Sequence, residues 1–149
     1  MDLFIERMPA QPIVYMRRTG AYGEENARLM AAMKSWAAAR GLLEGATLYG
    51  VAHDAPDTPP ERCRYDVCLA GERPADGAVL RGTLPGGRYA VFALPHTAEA
   101  VGAFWGSVFA ALREAGLGLD ATRPILERYR PEMLKAGLCE FCVPVPEED

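Results

Sequence analysis

Apolar and polar residues along this chain change period several times, and the changes mark out its elements. Pro12-Ile13-Val14-Tyr15-Met16-Arg17-Arg18 is rich in β-branched and aromatic residues and predicts a strand, which Thr19-Gly20-Ala21-Tyr22-Gly23 then breaks. From Glu24 to Arg40, Leu29, Met33, Trp36 and Ala37 recur at i, i+4, i+7 and i+8, one face of a helix. Glu24 and Glu25 suit its positive end, and Gly41 suits its C-terminal cap. Ala46–His53 predicts a second strand, and Asp54–Glu61, with three prolines in five positions, predicts an irregular loop. Cys63–Ala70 and Leu80–Leu84 predict further strands. Arg88–Leu94 is the next. Thr97 can cap a helix in which Val101, Phe104, Trp105, Val108 and Leu112 hold helical spacing up to Gly116. Ile125–Tyr129 predicts a strand, Arg130–Gly137 a loop, and Leu138–Val145 a last strand.

The second half repeats the first. Gly41-Leu42 after the first helix matches Gly116-Leu117 after the second, and Tyr65-Asp66-Val67-Cys68 matches Cys139-Glu140-Phe141-Cys142. The pattern therefore predicts one α+β domain over 1–149, a duplicated strand-helix-strand-strand unit with repeats at about 11–71 and 80–146. Two antiparallel sheets and two main helices would leave a cleft between the halves, where small-molecule sites favour forming.

Composition narrows the function classes. Half of the 149 residues are hydrophobic, which excludes disorder, and the net charge of -4 argues against direct nucleic-acid binding. No apolar run is long enough to cross a bilayer and no signal peptide opens the chain, so a cytoplasmic protein with reduced cysteines is expected.

Candidate chemistry is sparse. His53 and His96 sit beside turns, outside any nucleophile motif, and read as surface-loop residues. Cys139-x-x-Cys142 resembles half of a zinc site. On a strand, however, i and i+3 point to opposite faces, as do Cys63 and Cys68, so the cysteines read as small buried hydrophobes with no metal. No cofactor is expected; Gly86-Gly87 reads as a turn, not a phosphate loop. Glu127 is different, because it interrupts an apolar strand. Alternation puts Ile125, Glu127 and Tyr129 on one face. That face either looks into the cleft, where a carboxylate among aromatics suits an organic cation, or meets solvent with Glu127 paired to an arginine. Asp66 and Glu140 read as charges that protect edge strands. Trp36 and Trp105 read as core, while Tyr89, Tyr129, Phe104 and Trp105 are also placed to line a cleft.

Taken in order, these motifs resemble a known family. Asp54–Cys68, Pro85-Gly86-Gly87-Arg88-Tyr89-Ala90-Val91-Phe92, Phe104-Trp105, Leu126-Glu127-Arg128-Tyr129 and Glu140–Val145 are similar to the signature segments of the GyrI-like small-molecule-binding domain. That domain serves as the effector module of many AraC-type and MerR-type regulators and stands alone as the DNA gyrase inhibitory protein. The resemblance implies a duplicated SHS2-type fold. It implies an aromatic pocket for amphipathic, often cationic ligands, with Glu127 as counter-ion and Tyr129, Trp105, Phe104 and Tyr89 around it. It brings in two further activities: hydrolysis of cyclopropane-bearing toxins with Glu127 catalytic, and inhibition of DNA gyrase, for which the acidic tail Glu147-Glu148-Asp149 is suggestive. The chain starts about ten residues before the first expected strand, so no helix-turn-helix is expected ahead of it. The expectation is a stand-alone small-molecule-binding protein, as monomer or homodimer.

Overall fold

The computed structural model describes residues 2–55 and 57–148. Its elements run β1 Phe4–Met8, β2 Gln11–Thr19, α1 Glu24–Ala39, β3 Leu48–Ala52, β4 Arg64–Ala70, β5 Leu80–Leu84, β6 Gly87–Pro95, α2 Ala98–Glu114, β7 Leu126–Tyr129, α3 Pro131–Lys135 and β8 Leu138–Pro144. The eight strands form one antiparallel sheet in the order β1-β6-β8-β7-β3-β4-β2-β5. Two sheets were expected. They are a single sheet because β3 and β7, the inner strands of the two halves, pair with each other from Leu48↔Tyr129 to Val51↔Leu126.

Each half has the same order of elements, strand-strand-helix-strand-strand. The outermost strands cross over: β1 pairs with β6 of the second half, and β5 pairs with β2 of the first. The two long helices also stop in the same way. Leu42 N–H reaches Ala37 O and Leu117 N–H reaches Leu112 O, closing the turn over Gly41 (φ 68°) and Gly116 (φ 72°). Glycine takes that left-handed conformation without steric cost, and the reach-back satisfies carbonyls that the helix leaves unpaired. Thr97 Oγ1 accepts from Ala100 N–H at 3.1 Å, the cap the sequence predicts for α2.

Both helices lie on one face of the sheet. Met33, Trp36 and Ala37 of α1 pack on Val14, Leu48, Val67 and Leu69. Phe104, Val108 and Leu112 of α2 pack on Phe92, Phe141 and Val143. The other face is helix-free. It curls so that residues from all eight strands, among them Met8, Leu84, Tyr89, Leu126 and Cys142, meet in one cluster. Strand alternation explains the division: Cys139, Phe141 and Val143 go to the α2 side, and Cys142 to the other. All four cysteines are buried free thiols, and burial raises Cys142 to about 12.

Four expectations change. A strand, β1, occupies Phe4–Met8 where none was expected. The Asp54–Glu61 loop runs into a 3-10 turn at Pro60–Arg62, which begins on a proline, where proline is tolerated. A short helix, α3, interrupts the Arg130–Gly137 loop, again with proline at its start. Asp66 and Glu140 are not edge charges. Their strands are interior, and both acids are buried against arginines. Asp66 binds both Arg17 Nε (2.7 Å) and His53 Nε2 (2.7 Å). Glu140 binds Arg128 and Arg130. Burial works against ionising either acid, but these partners prevail and hold both carboxyls below the usual range.

Candidate functional site

The helix-bearing face is incomplete at its centre, where α1 and α2 leave a gap over β3 and β7. A cavity of about 220 Å³ fills this gap. Its α1 wall is Asn26, Ala27, Met30 and Lys34, a stripe at helical spacing. Its floor includes Leu48, Tyr65 and Tyr129, and His96 and Leu134 close the far side.

Glu127 lies directly behind the two tyrosines. Tyr65 O–H and Tyr129 O–H both donate to its Oε1, at 2.9 and 2.7 Å. Oε2 accepts no hydrogen bond among the described residues. The arginines nearest in sequence are engaged elsewhere: Arg128 with Glu6 and Glu140, Arg130 with Glu140. Burial therefore pushes the Glu127 carboxyl above its ordinary value, and the two phenols offset only part of that rise. Tyr65 and Tyr129 are both held far above the usual phenol range, first by burial and then by the carboxylate, so both remain proton donors. One carboxylate oxygen is thus fixed by two phenols, and the other has no hydrogen-bond partner among the described residues.

A glycine makes room for this group. Gly50 is the register partner of Glu127 across β3 and β7. Across the next pairings Gly50 faces Val67 and Glu127 faces Phe141, so the two residues hold equivalent places in the two halves. A Cβ on Gly50 would overlap the Tyr65 hydroxyl and stand 2.5 Å from Glu127 Oε1. One half supplies the carboxylate and the other supplies the space it occupies.

The sequence-derived residues fall in different places. Tyr129 lines the cavity, and Glu127 stands behind it, bonded to its hydroxyl. Phe104 is fully buried between Phe92 and Phe141, beneath α2. Trp105 is not core: it is 41% exposed on α2, edge-on to Phe104 and Phe141, because it lies one position off the buried stripe. Trp36 is buried, as expected. Tyr89 is on the opposite, helix-free face, its hydroxyl on Pro85 O and its ring under Arg123. Tyr65, Lys34 and His96 were not anticipated. His96 is not simply a surface residue, since its ring rests 5.5 Å from that of Tyr129 and faces the cavity. His53, likewise, is tied to Asp66 on the other face.

The comparisons with known proteins agree with this architecture. The model of the GyrI-like small molecule binding domain matches residues 1–146. The chain belongs to the GyrI-like family. It is 41% identical to YosT of Bacillus subtilis (strain 168), an SPbeta prophage-derived protein whose name proposes a transcriptional regulator, over 97% of this chain and 99% of YosT. Among solved structures, EcmrR in its DNA complex superposes with a TM-score of 0.75 at 11% identity. That match covers 99% of this GyrI-like chain but only 58% of the EcmrR chain. SAV2435 bound to tetraphenylphosphonium superposes with a TM-score of 0.66 at 16% identity, over 98% of this chain and 94% of SAV2435. At these identities the structural matches establish the shared fold.

Proposed function

We propose that this GyrI-like chain is a receptor for small aromatic cations, with Glu127 as the counter-ion. The observation that carries the reading is the arrangement at Glu127. A carboxylate without a cationic partner stands behind two tyrosines at the floor of a cavity, one oxygen oriented by both phenols and the other unpartnered. Isolated buried charge is costly, so a carboxylate held this way is expected to serve a ligand that brings the opposite charge. The aromatic floor adds attraction for a cation over a ring face. The fold shared with tetraphenylphosphonium-bound SAV2435 supports the ligand class, and the name given to YosT supports a sensing role.

Of the acidic tail, Asp149 lies outside the described residues. Glu147 pairs with Arg7 and Glu148 with Arg88, so these acids already have cationic partners on the fold.

The test is thermal unfolding against a size-graded panel of permanent cations: N-methylpyridinium, N-methylquinolinium and tetraphenylphosphonium. A ligand at a hundred times its dissociation constant should stabilise the fold by about 2.7 kcal/mol. The shift should vanish in Glu127→Gln, which keeps an acceptor for both phenols but removes the charge. Following the bound compound by NMR then separates sensing from turnover. A folded wild type that shifts with no member of the panel, or an equal shift in Glu127→Gln, rejects the reading.

A further inference from the structure

Charge of both signs flanks the cavity, in a definite order. Glu127 lies behind the tyrosine floor, and Lys34 stands on the α1 wall, one turn beyond Met30. Lys34 is one of only two lysines in the chain, the other being Lys135. It is exposed and joins none of the ion pairs among the described residues. Asn26 lies on the same wall two turns earlier. Its side-chain oxygen accepts from Arg18 at 2.7 Å, which leaves the amide N–H groups as donors. The α1 wall therefore offers a positive charge and hydrogen-bond donors, and a carboxylate stands behind the tyrosines of the floor.

A ligand with only a positive charge would be attracted by Glu127 and repelled by Lys34. A ligand with opposite charges at its two ends is attracted at both. Size limits it further. About 220 Å³ is below the roughly 300–1,000 Å³ of drug-sized sites, and the Tyr129 and His96 rings form an aromatic wall. We infer that the cavity takes a small amphoteric ring compound, its ammonium end at Glu127 and its carboxylate end at Lys34 and Asn26. This rests on the cation reading above and adds the second charge.

Matched probes test it at two lengths: benzylamine against 4-(aminomethyl)benzoate, and 4-biphenylmethylamine against its 4′-carboxylate. Affinities come from NMR titration of wild type, Lys34→Met and Glu127→Gln. Lys34→Met keeps an unbranched apolar stem at an exposed position and removes only the charge. At one length or both, the zwitterion should bind wild type at least fivefold more tightly than its parent amine. That gap should close in Lys34→Met, while both compounds lose affinity in Glu127→Gln. If the amines bind through Glu127 but neither zwitterion gains, or the gain survives in Lys34→Met, the amphoteric assignment falls and the cation reading stands. If neither an amine nor a zwitterion binds, both fall.

Discussion

Gly50→Ala should destabilise the protein by about 1–3 kcal/mol and weaken cation binding at least tenfold. The sign is the informative part. Replacing a glycine whose φ suits any residue ordinarily adds about 0.4–1 kcal/mol of stability, by restricting the unfolded chain. Gly50 is such a glycine, within a strand and without positive φ. Here the added methyl would overlap the Tyr65 hydroxyl and crowd Glu127 Oε1. Tyr65 or Glu127 must then move, and the paired phenol hydrogen bonds cannot both persist. Thermal unfolding and a cation titration on the same samples read both effects. A variant that is more stable than wild type and binds normally would show that the close packing at Gly50 does not matter to the site.

Arg128→Met should cost about 3–5 kcal/mol, for a reason separate from ligand binding. Arg128 is buried between two acids, bonding Glu140 through Nε and Nη2 and Glu6 through Nη1 and Nη2. Methionine fills much of the volume but leaves Glu140 with Arg130 alone, inside a sheet where its carboxylate is 1% exposed. A domain of this size loses roughly 2–4 °C of melting temperature per kcal/mol, so the effect is large. The pH dependence follows from the folded carboxyl of Glu140 lying below its unfolded value. Its contribution is present above the ordinary carboxylate range and is lost as pH falls through the depressed folded value. The gap between wild type and Arg128→Met should therefore narrow in acid. Adding Glu140→Gln to the variant should recover part of the loss. A cost under about 1 kcal/mol would mean that the network is no more than a surface pair.

These two residues also show what the sequence could and could not reveal. Gly50 was visible as a glycine inside a strand pattern, a common mark of close backbone approach, but nothing local named what approaches it. The nearest group, the Tyr65 hydroxyl, is brought there by the β3–β4 pairing, and Glu127, 62 positions from Tyr65, by the β3–β7 pairing. Tyr129 was legible because it is two residues along the same strand face. The two long helices, the Thr97 cap and the matched glycine stops were legible because their signals are local, whereas the five-residue α3 was read as a loop. β1 was not. Of its five residues only Met8 is buried, so this edge strand shows no alternation to read. Tyr89 shows the limit of composition. It is an aromatic close to the glycine turn, yet strand parity sends it to the helix-free face. Asp66 and Glu140 sit late in their repeats, but sheet order places β4 and β8 inside, and arginines from other strands neutralise them.

The central claim is that an ionised Glu127 meets the ligand's positive charge, and pH-dependent binding of N-methylquinolinium tests it most directly. The ligand itself does not titrate. Burial raises the Glu127 carboxyl above its ordinary 4.5, so affinity should climb as pH rises through that raised value and then level off. If only the ionised form binds, the climb approaches tenfold per pH unit below the transition. Tyr65 and Tyr129 stay protonated throughout, and Lys34 and His96 are the other titratable side chains on the cavity wall. Glu127→Gln separates their effect from that of the carboxylate. The account predicts a rising curve in wild type and weak binding in Glu127→Gln without the rise that the carboxylate causes. The same curve in both proteins, or a flat one in wild type, would contradict it.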